Sequence, residues 1–150
     1  MDSKSMSRLL NNMLKPLYRR IRLLQRRGVL TNSNSAPKMQ TVQVQLTPEL
    51  ILEMEHFEPY GFSSNPQNGA EPIVSNIEGK SHPICLIVAD RRYRLSGMKK
   101  GEVALSDDLG QKIHLTRDGI EMVSASGASS IVISDAGIVI TTPSFDLNEG

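Results

Sequence analysis

The sequence predicts a mainly β protein with a helical start, and three observations carry that prediction. An apolar stripe at helical spacing opens the chain, period-two alternation broken by Gly- and Pro-rich turns fills the middle, and a repeated aliphatic pattern ends it. Aromatics make up only 4% of residues and Trp is absent, so any core must come from Ile, Leu, Val and Met.

Residues 3–27 read as a helix. Met6, Leu9, Leu10, Met13, Leu17, Ile21 and Leu24 recur at three- and four-residue steps. Gly28 is placed to end it, and Arg26 and Arg27 suit the negative end of its dipole. Pro16 is expected to break or kink it near Lys15. The formal net charge is +1, yet Lys4, Arg8, Lys15, Arg19, Arg20, Arg22, Arg26 and Arg27 precede Gly28 against Asp2 alone. Residues 1–30 therefore form a basic arm. Its cations fit a solvated face, a docking arm for an acidic partner, or a membrane-surface helix.

Thr31–Lys38 ("TNSNSAPK") reads as a turn-rich linker. From Met39 the period changes to two, with Val42, Val44 and Leu46 alternating with polar residues. "ELILEMEHF" fits a strand or a helical turn, and Glu58–Pro72 reads as loop. "IVSNIEGK" and "HPICLIVAD" are strands around a turn at Glu78–Gly79, and "RYRLSG" starts another. Several short strands in residues 37–97 suggest a small barrel. Cys85, the only cysteine, is a core residue between Ile84 and Leu86; it can form no internal disulfide, which fits folding in a reducing compartment. No secretory signal and no run long enough to span a membrane is evident.

Residues 98–147 carry the repeat. "IHLTRDGIEM" and "IVISDAGIVI" align with a shift of eighteen residues, from Ile113 to Ile131, and "VALSDDLG" precedes them. The inward set is Val103, Leu105, Ile113, Leu115, Ile120, Met122, Ile131, Ile133, Ile138 and Ile140, with Leu147 as a further candidate. A lone meander leaves both edges open and buries only part of this face. It can pack back on the preceding barrel, or several identical chains can wrap about a common axis. The repeat, the small residues of "SASGASS" and the lack of aromatics favour the second.

The stretches "HFEPYGFSSNPQNG" and "YRLSGMKKGEVALSDDLGQKIHLTRDGI", after "GVLTNSNSAP", resemble the baseplate spike proteins (protein V class) of Mu-like contractile-tailed phages. The resemblance covers nearly the whole chain. It implies a homotrimer with an N-terminal attachment segment, an OB-fold domain and a C-terminal triple-stranded, intertwined β-helix. It implies a chain made in the host cytoplasm that joins the baseplate of a virion or a phage-tail-like bacteriocin. Its partners would be the tail hub and tube-end proteins, met through Arg8, Lys15, Arg19, Arg20, Arg22, Arg26 and Arg27. Sheath contraction would drive it through the bacterial outer membrane. Some spikes of this class end in a metal-binding His-x-His apex. Here the histidines are His56, His82 and His114, and "TTPSFDLNEG" has no such pair. No metal or other cofactor is expected, and the needle either ends bluntly or takes a separate tip protein.

Two rival readings, an enzyme and, as the alternative function, an OB-fold nucleic-acid-binding module, are disfavoured on chemistry. Ser106, Asp107, Asp108 and His114 lie close in sequence, but alternation turns His114 outward with Thr116 as a surface histidine. Asp107, Asp108, Asp118 and Asp135 are turn residues, without the ligand spacing of a known calcium loop. A basic arm on an OB-fold barrel also sketches a nucleic-acid-binding module. Such proteins stack bases on aromatics over a basic groove. Here Phe57, Tyr60 and Phe62 sit beside Glu53, Glu55 and Glu58, so neither nucleic-acid binding nor enzymatic activity is expected.

Overall fold

The computed structural model describes residues 3–22, 24–77 and 82–146 and divides into two compact units, Met1–Asp90 and Arg91–Gly150. The first unit opens with helix α1, Ser3–Arg22. It runs through Pro16 as one helix, so the break expected as one of two outcomes there does not occur. Proline's fixed φ is compatible with a helix, and the lost N–H removes one bond from a turn that Leu14 and Leu17 otherwise favour.

The helix stops before the arginines that were assigned to its last turn. Gln25–Arg27 form strand β1, paired with Ser75, Val74 and Ile73. Gly28 is therefore not a helix cap. It is buried, its N–H donates to the Pro72 carbonyl at 3.1 Å, and a Cβ there would run into the Val44 side chain. Close backbone approach is what requires glycine here. Strand β2, Val29–Asn34, replaces the first half of the expected linker. Its polar residues pair with β3 (Thr41–Thr47), through an irregularity between Leu30 and Asn32. The sheet thus starts at Gln25 rather than at residue 37.

Strands β4 (Leu50–His56), β5 (Glu71–Ile77) and β6 (His82–Ala89) complete the unit. The proposed turn at Glu78–Gly79 lies outside the described residues. The order is β1-β5-β6-β4-β3-β2, with β4 and β6 parallel and every other pair antiparallel. Because β1 continues into β2 through Gly28, the two ends of this order are halves of one segment and the sheet closes on itself. Alternation then sends Leu30, Val42, Val44, Met54, Val74 and Cys85 inward, with Leu46, Leu52 and Val88 packed against them. Burial pushes the Cys85 thiol up to about 11, partly opposed by its bond to the Ile87 carbonyl, so it is an inert core group.

The second unit holds β7 (Val103–Ser106), β8 (Lys112–Leu115), β9 (Ile120–Val123), β10 (Ser130–Ser134) and β11 (Gly137–Thr141). They form an antiparallel meander in chain order. Arg92–Gly97 ("RYRLSG") is turn and irregular chain instead of the expected strand. The Arg92 guanidinium stacks 5.1 Å from the Tyr93 ring centroid, and Gly97 has a φ of 76°. The sequence repeat is a pair of hairpins with matched turns. Thr116 Oγ1 accepts the Asp118 N–H at 3.2 Å, as Ser134 Oγ accepts the Ala136 N–H at 3.3 Å. Gly119 and Gly137 take φ values of 155° and 132° at equivalent positions.

Candidate functional site

The registers of the meander collect the ten aliphatic candidates into two complete cross-strand rows. Val103 stands opposite Leu115, Leu115 opposite Ile120, Ile120 opposite Ile133, and Ile133 opposite Ile138. Leu105, Ile113, Met122, Ile131 and Ile140 make the second row in the same way. Directly opposed residues share a face, and the rows lie two residues apart on every strand, so all ten project from one side. Leu147 lies outside the described residues.

That side is uncovered. Val103, Leu105, Ile138 and Ile140 are 59, 54, 66 and 49% exposed. Every buried described residue lies in the first unit, and none after Asp90 is buried. The opposite side carries the row Ala104, His114, Glu121, Val132 and Val139.

His114 corrects the surface assignment. Its side chain is only 13% exposed, with Nε2 3.3 Å from Glu102 Oε2 and otherwise without a hydrogen-bond partner. The Glu102 carboxylate also accepts the Lys99 N–H at 2.8 Å and the Arg117 N–H at 3.3 Å. The Lys99 N–H bond is the main reason its pKa falls below the usual value; burial, the next effect in size, opposes it, and the Arg117 N–H and the His114 and Lys99 charges add to the lowering. The group is a clamp at the base of the meander. Asp107 Oδ1 accepts the Leu109 and Gln111 N–H groups at 3.1 and 2.8 Å, which is turn chemistry.

Residues 27–92, which span the closed sheet from the end of β1 through β6, match the family described as Bacteriophage Mu Gp45, N-terminal. The chain is 33% identical over 136 residues to the baseplate puncturing device gp45 of Escherichia phage Mu, covering 89% of this chain and 68% of that protein. The chain belongs to the Mu gp45 family. It is also 33% identical over 117 residues to the Mu-like prophage FluMu protein gp45 of Haemophilus influenzae, covering 77% of this chain and 64% of that protein.

In this member of the Mu gp45 family the seven basic docking candidates separate into two groups. Arg8 and Lys15 stand exposed on α1, and the Lys15 ammonium donates to Asn12 Oδ1 at 3.3 Å. Arg19, Arg20 and Arg22 belong to α1, with side chains outside the description. Arg26 and Arg27 are strand residues. Arg26 is half-buried opposite Val74, and Arg27 pairs with Glu71 at 2.9 Å. These last two are committed to the barrel, which weakens them as docking residues.

The family stretch "YGFSSNP" forms an ordered loop that the sequence left without a role. Glu58 Oε1 accepts the Ser64 N–H at 2.7 Å and its hydroxyl at 2.6 Å. Ser33 donates to Asn65 Oδ1 at 2.6 Å. Gln40 Nε2 donates to the Ser64 carbonyl at 2.8 Å, which orients the amide so that Oε1 accepts the His56 Nδ1–H at 2.6 Å. Gln40 and His56 are 8% and 5% exposed, a buried polar pair that ties the loop to the barrel. The signal was parity: His56 continues the inward positions of Leu52 and Met54.

Burial holds the His56 pKa below the ordinary 6.5, with Glu58 pulling the other way. The unfolded chain therefore binds this proton first as pH falls. The stabilising contribution is complete above about pH 6.5 and declines as pH drops from there toward the folded value. The urea midpoint of the barrel should fall on acidification through this window, and His56→Gln should flatten the fall. An unchanged pH profile in the variant would remove His56 as the cause.

Proposed function

We propose that this chain is a non-enzymatic baseplate spike. Three copies dock beneath the tail tube at the centre of the baseplate, and sheath contraction drives them through an outer membrane. The observation that carries this reading is the uncovered aliphatic face of the second unit. Full burial of its ten side chains is worth about 15–30 kcal/mol per chain, and roughly half of that is left unused in a single subunit, where most of them stay exposed. Three chains wound about one axis would each cover the others' rows and satisfy open strand edges. Many backbone bonds and a shared dry centre would then bear compression in parallel.

The similarity to a protein named as a baseplate puncturing device supports the same reading. So does the first unit. A first strand split by a glycine, a three-strand meander, a parallel β4–β6 pair and a return to the first strand make the connectivity of an OB-fold. In this scheme α1 attaches the spike to the tail hub, the OB barrel forms the shoulder, and the meander forms the needle. Asp107 serves the Leu109 and Gln111 N–H groups, which supports a structural role for it over a catalytic one.

Mass in solution by light scattering tests the proposal. A value near three chains is expected. A single-chain mass at micromolar concentration would overturn it.

A further inference from the structure

Helix α1 has two opposed faces. Leu10, Met13 and Leu17 follow one another at three- and four-residue steps and are 57, 69 and 52% exposed. Met6 and Ile21 extend the same spacing in both directions along the helix. Arg8 and Lys15, one heptad apart and both exposed, stand on the other side, and helical spacing puts Arg19 and Arg22 in line with them. The helix has 20 residues and an internal proline, and no acidic residue sits in its first turn. Such a helix is marginal in water unless its apolar face is covered.

We propose that the apolar face of α1 packs against the same face of its sister copies in a parallel bundle, leaving the basic faces outward. This rests on the trimeric reading above. The steps of Met6, Leu10, Met13 and Leu17 are those of a helix that meets its own copy. The charges of Arg8 and Lys15, and the helical positions of Arg19 and Arg22, point away from the seam, so a copy can close on the stretch from Met6 to Leu17; Arg20, three residues past Leu17, falls on the seam side and marks where close packing ends. The outer stripe of β4 is a poorer seat. Ile51 on it and Phe57 just past its end flank Glu53 and Glu55, and a helix lying apolar side down there would turn its cations away from both carboxylates. Three barrels on one axis would also hold the three helices at a high effective concentration. The bundle presents a basic outer surface, which is what an acidic hub socket would grip.

Single cysteines in the full-length chain test this, because buried Cys85 is inert. Met13→Cys should oxidise to disulfide-linked pairs of chains, whereas Lys15→Cys on the outer face should give at least ~10-fold less, since bridging needs Cα atoms closer than about 7 Å. Leu10→Ser with Leu17→Ser should reduce the helical circular dichroism while the three-chain mass persists. A three-chain particle with equal yields at both positions, with no disulfide at position 13, or with unchanged helicity in the double variant overturns the bundle and leaves the trimer standing. A single-chain mass without cross-links overturns both.

Discussion

Replacing Ile133 with Asp is expected to turn a three-chain particle into single chains. Ile133 is flanked on both sides within its row, opposite Ile120 on one strand and Ile138 on the other. In the proposed trimer, three carboxylates would meet near the axis in a dry, low-dielectric centre. None would have a cation within reach, because both rows are aliphatic throughout. Like charges so placed either lose their protons at great expense or stay neutral with unmade hydrogen bonds. The combined penalty, with the loss of three buried isoleucines, is on the order of 10 kcal/mol per trimer. Ile133→Val serves as the control, at a cost of about 0.5–1.5 kcal/mol per chain with assembly intact. Light scattering of both variants reads the result. A fully assembled Asp variant would mean that Ile133 faces solvent, and the needle scheme would fall with it.

The second large effect concerns where the proposed attachment arm ends. Deleting residues 1–22 removes α1 and leaves β1 whole, so the product should remain a folded trimer that no longer enters baseplates. Deleting residues 1–27 should do more. It strips β1 from β5, breaks the Arg27–Glu71 pair and removes a wall from the closed sheet. Loss of cooperative unfolding in the longer deletion, with retention in the shorter, is the expected contrast, read by urea denaturation. Incorporation of the shorter deletion at the level of the parent would remove the docking role of α1. Equal stability of the two would show that β1 does not close the barrel.

That contrast arises from a place where the sequence misleads. Apolar spacing at helical steps runs on through Leu24, and the arginines after it look like the end of a helix. The competing fact is non-local: Gln25–Arg27 have Ser75, Val74 and Ile73 to pair with, and no local pattern announces a partner so far along the chain. The same holds for Thr31–Asn34, whose composition is that of a turn and whose conformation is imposed by β3. "RYRLSG" fails in the opposite direction, because its brief alternation has no strand to join. The aliphatic rows, by contrast, were readable residue by residue. Strict alternation fixes which side each residue takes, and turns of matched chemistry at Thr116–Gly119 and Ser134–Gly137 fix the register. His114 was assigned to the correct side, but its neighbour was missed. Glu102 lies just before β7, and only the folded turn brings its carboxylate to the imidazole.

The matched hairpins also set the step by which this meander can change in length. Each hairpin receives two aliphatic files from the one before and passes them on in phase, Ile113 and Met122 being followed by Ile131 and Ile140. Duplicating one whole eighteen-residue module, Ile113 to Ser130, would prolong both files in phase. Gaining or losing one residue within a strand would instead invert every side chain beyond it. Growth and shortening in such a lineage should therefore proceed by modules, and frame slips inside strands should be purged.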